Sequence, residues 1–413
     1  MTEFFDAIET RDPAERERAL AAALPAQMGH AMARSPAAAA RFAGIDPRAI
    51  DSRAALAQLP VLRKSELHAL QAAQMPFAGL VTLAPGDLGR IYSSPGPVYD
   101  PEGRRPDYWR MARALFAAGF RAGQIVHNTF SYHFTPAGFM FDTGAQALGC
   151  AVIPAGVGNT ELQVAAIRDV RPSGYAGTPG FLRILLEKAD ELGSDVSSLE
   201  RALVAGEALP PSLRAVFNAR GIRTLQCYGI ADLGLVAYES AAQEGMICDE
   251  GVLIEIVRPG TGDPVRDGEV GEVVVTTLTP EYPLIRFATG DLSAVLPGPS
   301  PCGRTNLRIR GWMGRADQTT KVKGMFVHPA QIAEVLRRNP EIRRARLVVD
   351  FDPQKNDRMT LRCETSSAAG EGAAAAIAGT IRDVCKLRGE VAFVAPGELP
   401  NDGKVIDDTR KYE

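Results

Sequence analysis

The sequence lacks any apolar run of about 18 residues, the length a membrane-crossing helix needs, so no such helix is expected. Its start, Met1-Thr2-Glu3-Phe4-Phe5-Asp6, has no basic stretch leading into an apolar one, which argues against a secretory signal. CxxC pairs are missing. Cys150, Cys227, Cys248, Cys302, Cys363 and Cys385 are scattered, as suits reduced thiols in a cytoplasm. Excess charge is missing too. A net charge of −3 over 413 residues gives no electrostatic case for nucleic acid or an anionic membrane. The local run Arg343-Arg344-Ala345-Arg346 reads as a solvated face. No internal repeat is found.

What is present is an ordinary soluble composition, 46% hydrophobic and 23% charged, long enough to bury a sizeable core. At about 100–200 residues per domain the chain holds roughly two to four domains or subdomains. Residues 1–75 are rich in Ala and Arg. There Leu56, Leu59, Leu62, Leu67 and Leu70 recur near one helical turn, which predicts a helical N-terminal region. From residue 88 short strands and helices alternate. Strands are predicted over 89–94, 124–129, 150–154, 203–205 and 225–228, and helices over 108–119, 139–148, 160–169 and 180–192. That alternation predicts a parallel α/β sheet. Gly206-Glu207 and Tyr228-Gly229 fall at strand ends, where open α/β sheets collect ligands. Strands over 252–257, 271–276 and 291–296 read as antiparallel and predict a small β-barrel-like subdomain. Beyond 314–317 a helix over 329–338, a strand over 346–349 and a helix over 375–388 predict an α+β unit. The expected fold class is α/β. A large N-terminal part carries the parallel sheet and the barrel-like subdomain over 76–314, and a small α+β domain covers 318–413.

Four stretches carry candidate chemistry. Pro283-Leu284-Ile285-Arg286-Phe287-Ala288-Thr289-Gly290-Asp291 ends in a carboxylate read as following a glycine turn, where it can accept both ribose hydroxyls. Gly314-Arg315-Ala316-Asp317 leads on to Lys323-Gly324. Leu399-Pro400-Asn401-Asp402-Gly403-Lys404 sets a long flexible cation on a turn. Tyr228-Gly229-Ile230-Ala231-Asp232 joins an aromatic face, a glycine for close backbone approach and a carboxylate. Together, over roughly residues 50–413, these resemble the adenylate-forming enzymes, and among them the phenylacetate–CoA ligase family.

The resemblance implies an acid–thiol ligase. ATP and an aromatic acid, aryl or arylacetic, would give an acyl-adenylate and pyrophosphate, and CoA would then displace AMP. It implies that Asp291 holds the ribose, and that Arg286, grouped with the catalytic residues, fixes the loop or approaches phosphate. Tyr228 would stack on adenine with Gly229 beside it, while Gly206 and Glu207 line the adenine pocket. Asp232 would act in catalysis and help hold Mg²⁺. Lys404 would swing onto the α-phosphate and the attacking carboxylate, because cations near developing negative charge dominate such transfers. Arg315 would bind cofactor beside a hinge near Asp317, about which the small domain moves. Lys323 and Gly324 would come to the pantetheine of CoA. Tyr132, His133, Phe134, Phe139 and Ile230 would line the acid pocket, where flat rings stack on an aromatic acid. A homodimer is also implied.

The sequence departs from the family at one place above all. Ser93-Ser94-Pro95-Gly96-Pro97-Val98-Tyr99-Asp100-Pro101-Glu102 stands where the family has Ser-Ser-Gly-Thr-Thr-Gly-Lys-Pro. Ser93, Ser94 and Gly96 stay as phosphate-site candidates. Both threonines and the lysine are gone, and the prolines remove N–H donors. Asp100 and Glu102 would repel a triphosphate, and Arg104, Arg105 or Lys64 could replace the lost cation. Two other readings stay open. One is a non-catalytic or catalytically altered member that binds AMP or acyl-CoA. The other is an adenylating enzyme with an amine or carrier-protein acceptor. Cys248 and Cys302 do not assemble a four-ligand zinc set with nearby residues.

Overall fold

The computed structural model describes residues 3–94, 98–316, 318, 320–322, 325–352, 357–365 and 372–410. The chain divides into two compact units. The first comprises Met1–Ile254, Val275–Phe287 and Leu296–Trp312; the second comprises Glu255–Val274, Ala288–Val295 and Met313–Glu413. The division by compactness therefore does not fall at residue 317 alone. The strands Val252–Val257, Gly271–Thr277 and Phe287–Ser293 each pass from one unit into the other.

In the first unit the helix Pro13–Arg34 starts on an Asp12 cap with Pro at its first position, a pairing that satisfies the free N–H groups of a first turn. Its Leu24, Met28 and Ala31 are buried with Phe42, Leu56, Leu59, Leu253 and Ile285. Five parallel strands follow: β1 (Ile125–Asn128), β2 (Ala151–Pro154), β3 (Gly174–Gly177), β4 (Arg201–Val204) and β5 (Arg223–Ile230). They lie in the order β2-β1-β3-β4-β5, and every neighbouring pair is parallel. The helices Ala137–Ala147, Thr160–Val170, Pro179–Leu192 and Pro211–Ala219 connect them in turn. β3 is buried throughout, as expected where helices cover both faces of a parallel sheet. The predicted alternation is found. One helix is shorter than predicted: Met111–Ala117 replaces 108–119, because Arg110 sits at φ +64° and cannot continue it backwards. The order reverses between β1 and β3, and sheets of this order bind ligands at that switch.

The strands predicted as barrel-like form, with Leu62–Arg63, a four-stranded sheet in the order Leu62–Arg63, Phe287–Ser293, Gly271–Thr277, Val252–Val257. The strand predicted to begin at 291 begins at Phe287. Asp291 thus stands inside a strand rather than beyond a turn, and Gly290 takes a φ of +76° there without ending it.

The C-terminal part of the second unit is α+β. Its sheet runs Glu390–Val394, Asp357–Thr365, Ile342–Phe351, Ile406–Asp408, with the middle pair antiparallel and both outer pairs parallel. The helices Pro329–Arg338 and Ala373–Cys385 bury Ile332, Val335, Ile377 and Ile381 with Leu347, Val349 and Leu361. All six cysteines are buried and unpaired. No helix among the described residues is long and apolar enough to cross a membrane.

Candidate active site

The carboxyl ends of the parallel strands gather the first group of predicted residues. β1 runs into the Asn128–Phe134 loop, β4 into Gly206 and Glu207, and β5 carries Tyr228, Gly229 and Ile230. Tyr228 is 8% exposed. A Cβ on Gly229 would lie 3.0 Å from the Gly234 carbonyl and 3.1 Å from the Met111 methyl, a tight fit that glycine relieves. Glu207 is exposed and accepts the Gly180 N–H at 3.1 Å, at the start of the helix Pro179–Leu192.

The acid-pocket candidates separate into two sets. The Tyr132 hydroxyl accepts from Asn128 at 2.7 Å and donates to Asp142 at 2.9 Å; burial and that carboxylate push its pKa upward. Phe139 meets Tyr132 edge-on at 5.1 Å and Tyr92 at 5.7 Å, and the Arg90 guanidinium lies 4.5 Å over its ring. His133 and Phe134 are exposed and touch each other edge-to-face at 4.9 Å. Phe134 contributes its carbonyl, which accepts the Ser93 N–H at 2.8 Å.

The region of the altered phosphate loop is an antiparallel pair, Arg90–Ser94 with Val98–Glu102. Gly96 lies outside the described residues. The Ser94 hydroxyl donates to Asp100, so it is already engaged. Asp100 is fully buried, and Asp232 is 4% exposed. Lys64 Nζ reaches Asp232 Oδ2 at 2.5 Å. Of the three cations suggested by sequence, Lys64 is the one that comes here. Arg104 donates to the carbonyls of Gly86 and Asp87, while Arg105 pairs with Glu281. Burial, then the charge of Asp232, pushes the Asp100 carboxyl up to about 8; Ser94 and Lys64 oppose the shift. The remaining Oδ1 atoms of Asp100 and Asp232 are both buried with no other hydrogen-bond partner. Sequence reading flagged Asp100 only as a repulsive charge. No spacing signal could have found this triad, because its members come from three distant segments.

Arg286 is found at the loop rather than at an open site. It is 1% exposed, and its guanidinium donates to the carbonyls of Ala57 at 2.7 Å and Leu59 at 2.5 Å. Its backbone has φ +50°. Of the two roles the resemblance implies for it, fixing the loop is the one these contacts fit, since its donors tie the 57–59 turn.

In the second unit, Asp291 and Arg315 come together. Arg315 Nη1 lies 2.8 Å from Asp291 Oδ1, and Asp291 is 6% exposed. A Cβ on Gly290 would lie 2.8 Å from the same guanidinium, so the glycine makes room for it. The Lys404 loop belongs to this unit too. A Cβ on Gly403 would meet Val270 at 2.6 Å and Leu292, the residue after Asp291, at 3.0 Å. Lys404 Nζ is half exposed and pairs with Asp407 at 2.9 Å. Asp317, Lys323 and Gly324 lie outside the described residues.

Residues 109–279 match the family described as AMP-binding enzyme. The phenylacetate–coenzyme A ligase of Thermus thermophilus is 32% identical over 315 residues, covering 73% of this chain and 70% of the relative. That of Aromatoleum evansii is 31% identical over 345 residues, covering 80% and 76%. Among solved structures, a 2-hydroxyisobutyryl-CoA ligase in an open conformation, in complex with 2-HIB-AMP and CoA, matches with a TM-score of 0.72 and 25% identity, over 95% of this chain and 90% of that one. Fold and matched segment define the class, that of AMP-binding enzymes. Within it, the chain belongs to the phenylacetate–CoA ligase family. These relatives support an AMP-forming acyl-CoA ligase.

Proposed function

We propose that the protein activates an aromatic carboxylic acid with ATP, forming an acyl-adenylate and pyrophosphate, and passes the acyl group to the CoA thiol with release of AMP. The observation that carries this reading is the meeting of Asp291, Arg315 and the Gly403–Lys404 loop in one compact unit. A buried carboxylate suits ribose hydroxyls, the guanidinium beside it suits a phosphate oxygen, and a half-exposed ammonium on a tight loop can reach developing charge. The matched ligase carries an acyl-adenylate and CoA, the two ligands that these roles require. Tyr228, Gly229, Gly206 and Glu207 serve the adenine. Tyr132, Phe139 and Ile230 serve the acid, with His133 and Phe134 at the rim, and the Tyr132–Phe139–Tyr92 ring contacts favour a flat aryl group.

Mg²⁺ fits at one position. Asp232 Oδ1 is an acceptor with no other hydrogen-bond partner, while Oδ2 is held by Lys64. Among the described residues no three His, Cys, Asp or Glu side chains gather as a metal site, so the ion would take its other oxygens from phosphate and water. It would neutralise phosphate charge. Lys323-Gly324 serve CoA, the segment about Asp317 serves as hinge, and a cytoplasmic homodimer completes the proposal; light scattering checks the dimer.

The Ser94–Asp100 contact favours a second reading, in which the site takes AMP or acyl-CoA without turning over ATP, because the hydroxyl of a phosphate-site serine is bonded to a carboxyl. One experiment separates them. Purified protein with ATP, Mg²⁺, CoA and a panel of aryl and arylacetic acids should release AMP in an acid-dependent way, with the acyl-CoA seen by mass spectrometry. Thermal stabilisation by AMP without any turnover would replace the first reading by the second. Product that forms only when an amine or carrier protein replaces CoA would change the acceptor.

A further inference from the structure

We propose that Gln318 is a positioning residue for Lys404, holding the backbone on both sides of it so that the ammonium arm extends from a fixed mount. The inference rests on the adenylating role given to Lys404 above. Gln318 Nε2 donates to the Gly403 carbonyl at 3.0 Å, and Oε1 accepts from the N–H groups of Val405 at 2.5 Å and Ile406 at 2.9 Å. Nε2 also lies 3.5 Å from the Arg315 carbonyl. One side chain thus bonds the residue before Lys404 and the two after it, and reaches toward the arginine paired with Asp291.

The rest of the loop is fixed by other means. The Lys404 N–H is held by Asp402 Oδ1 at 3.0 Å, and its carbonyl by Arg346 at 3.2 Å. Asn401 spans the Gly268 carbonyl and the Val270 N–H, each at 3.1 Å. Gly403, at φ +70°, admits no Cβ against Val270. The backbone of residues 403–406 is therefore held by Gln318, Asp402 and Arg346, while the half-exposed Lys404 side chain pairs with Asp407 at its tip.

Gln318 has a specific chemical qualification. The loop presents one carbonyl and two N–H groups to it, and an amide is a side chain that both donates and accepts at one end. Glutamate would keep the acceptor and lose the donor; alanine would lose both. A rigid mount matters because a catalytic group held loosely must be ordered at every turnover.

The test uses the full-length protein with ATP, phenylacetate, phenylacetyl-adenylate and CoA. Gln318→Ala should lower kcat for acid-dependent pyrophosphate release by about tenfold, the effect of losing two or three modest hydrogen bonds from a preorganised loop. The KM for ATP and the rate of thioester formation from phenylacetyl-adenylate should stay as in wild type. Hydrogen exchange at Val405 and Ile406 should quicken, and Gln318→Glu should restore that protection and part of the rate. Wild-type adenylation by Gln318→Ala overturns the inference, as does equal loss of both half-reactions with a lowered Tm. If the wild-type protein makes no adenylate, the functional reading falls by itself. Unchanged exchange at Val405 and Ile406 in Gln318→Ala would then separately overturn the positioning role.

Discussion

Asp291 and Asp232 are both buried carboxylates, each paired with a long cation, yet their surroundings differ. Asp291 has the Arg315 guanidinium, permanently charged and more than half exposed. Asp232 has Lys64, about a third exposed, and its charge, after burial, helps push the Asp100 carboxyl up to about 8. At the first site the arrangement leaves a negative group held by a cation that can turn toward a ligand. At the second, one ammonium, one carboxylate and one neutral carboxyl come close to electrical balance inside the unit. The two sites thus differ in how nearly their own charges cancel. The segment that kept its family pattern is the one with a movable cation. The segment 93–102 places Asp100 beside the Lys64–Asp232 pair.

The largest test of this contrast is Lys404→Ala. Acid-dependent pyrophosphate release should fall by about a hundredfold or more, as when a group facing developing charge is removed. Thioester formation from phenylacetyl-adenylate should persist, and loss of both steps together would break the comparison. Next comes Asp291→Ala, which should weaken AMP binding about tenfold to a hundredfold, since a hydrogen bond to a charged acceptor contributes about 1.5–3 kcal/mol. Calorimetry giving an unchanged Kd would remove the ribose from Asp291.

Lys64→Ala tests the closed triad. Breaking a fully buried pair costs about 3–5 kcal/mol, and the exposure of Lys64 lowers the expected loss to about 2 kcal/mol in urea unfolding. Loss of nothing would mean that solvent already screens the triad. The smallest effect is in Asp100→Asn. Burial raises the Asp100 pKa to about 8, so the folded chain keeps a proton that the unfolded chain releases. That contribution is complete below the unfolded carboxyl range and fades as pH rises toward about 8. Asp100→Asn removes the fade. Its Tm should exceed wild type by more at about pH 8 than at about pH 5, and parallel curves would show that Asp100 is ionised throughout.

Much of the architecture was legible. Helix Pro329–Arg338 and strand Val252–Val257 have the predicted bounds, and the parallel strands fall within a few residues of theirs. Period and turn residues report such elements because burial of one face is a local property of sequence. Arg110 shows the limit: its left-handed backbone cut a predicted helix short, held by Asp249, Leu233 and Leu235, all far along the chain. Arg286 shows another. Its motif gave no sign of the contacts it makes with the Ala57 and Leu59 carbonyls, more than two hundred residues earlier in the chain.

By itself the sequence determined the family and the strand–helix alternation, because short motifs and periodic burial are written in neighbouring positions. Only the tertiary structure decided which cation met Asp232, that Asp100 would keep its proton, and that Gln318 would bracket Lys404. Those outcomes depend on desolvation and on hydrogen bonds between segments far apart in the chain, and both exist only once it is folded.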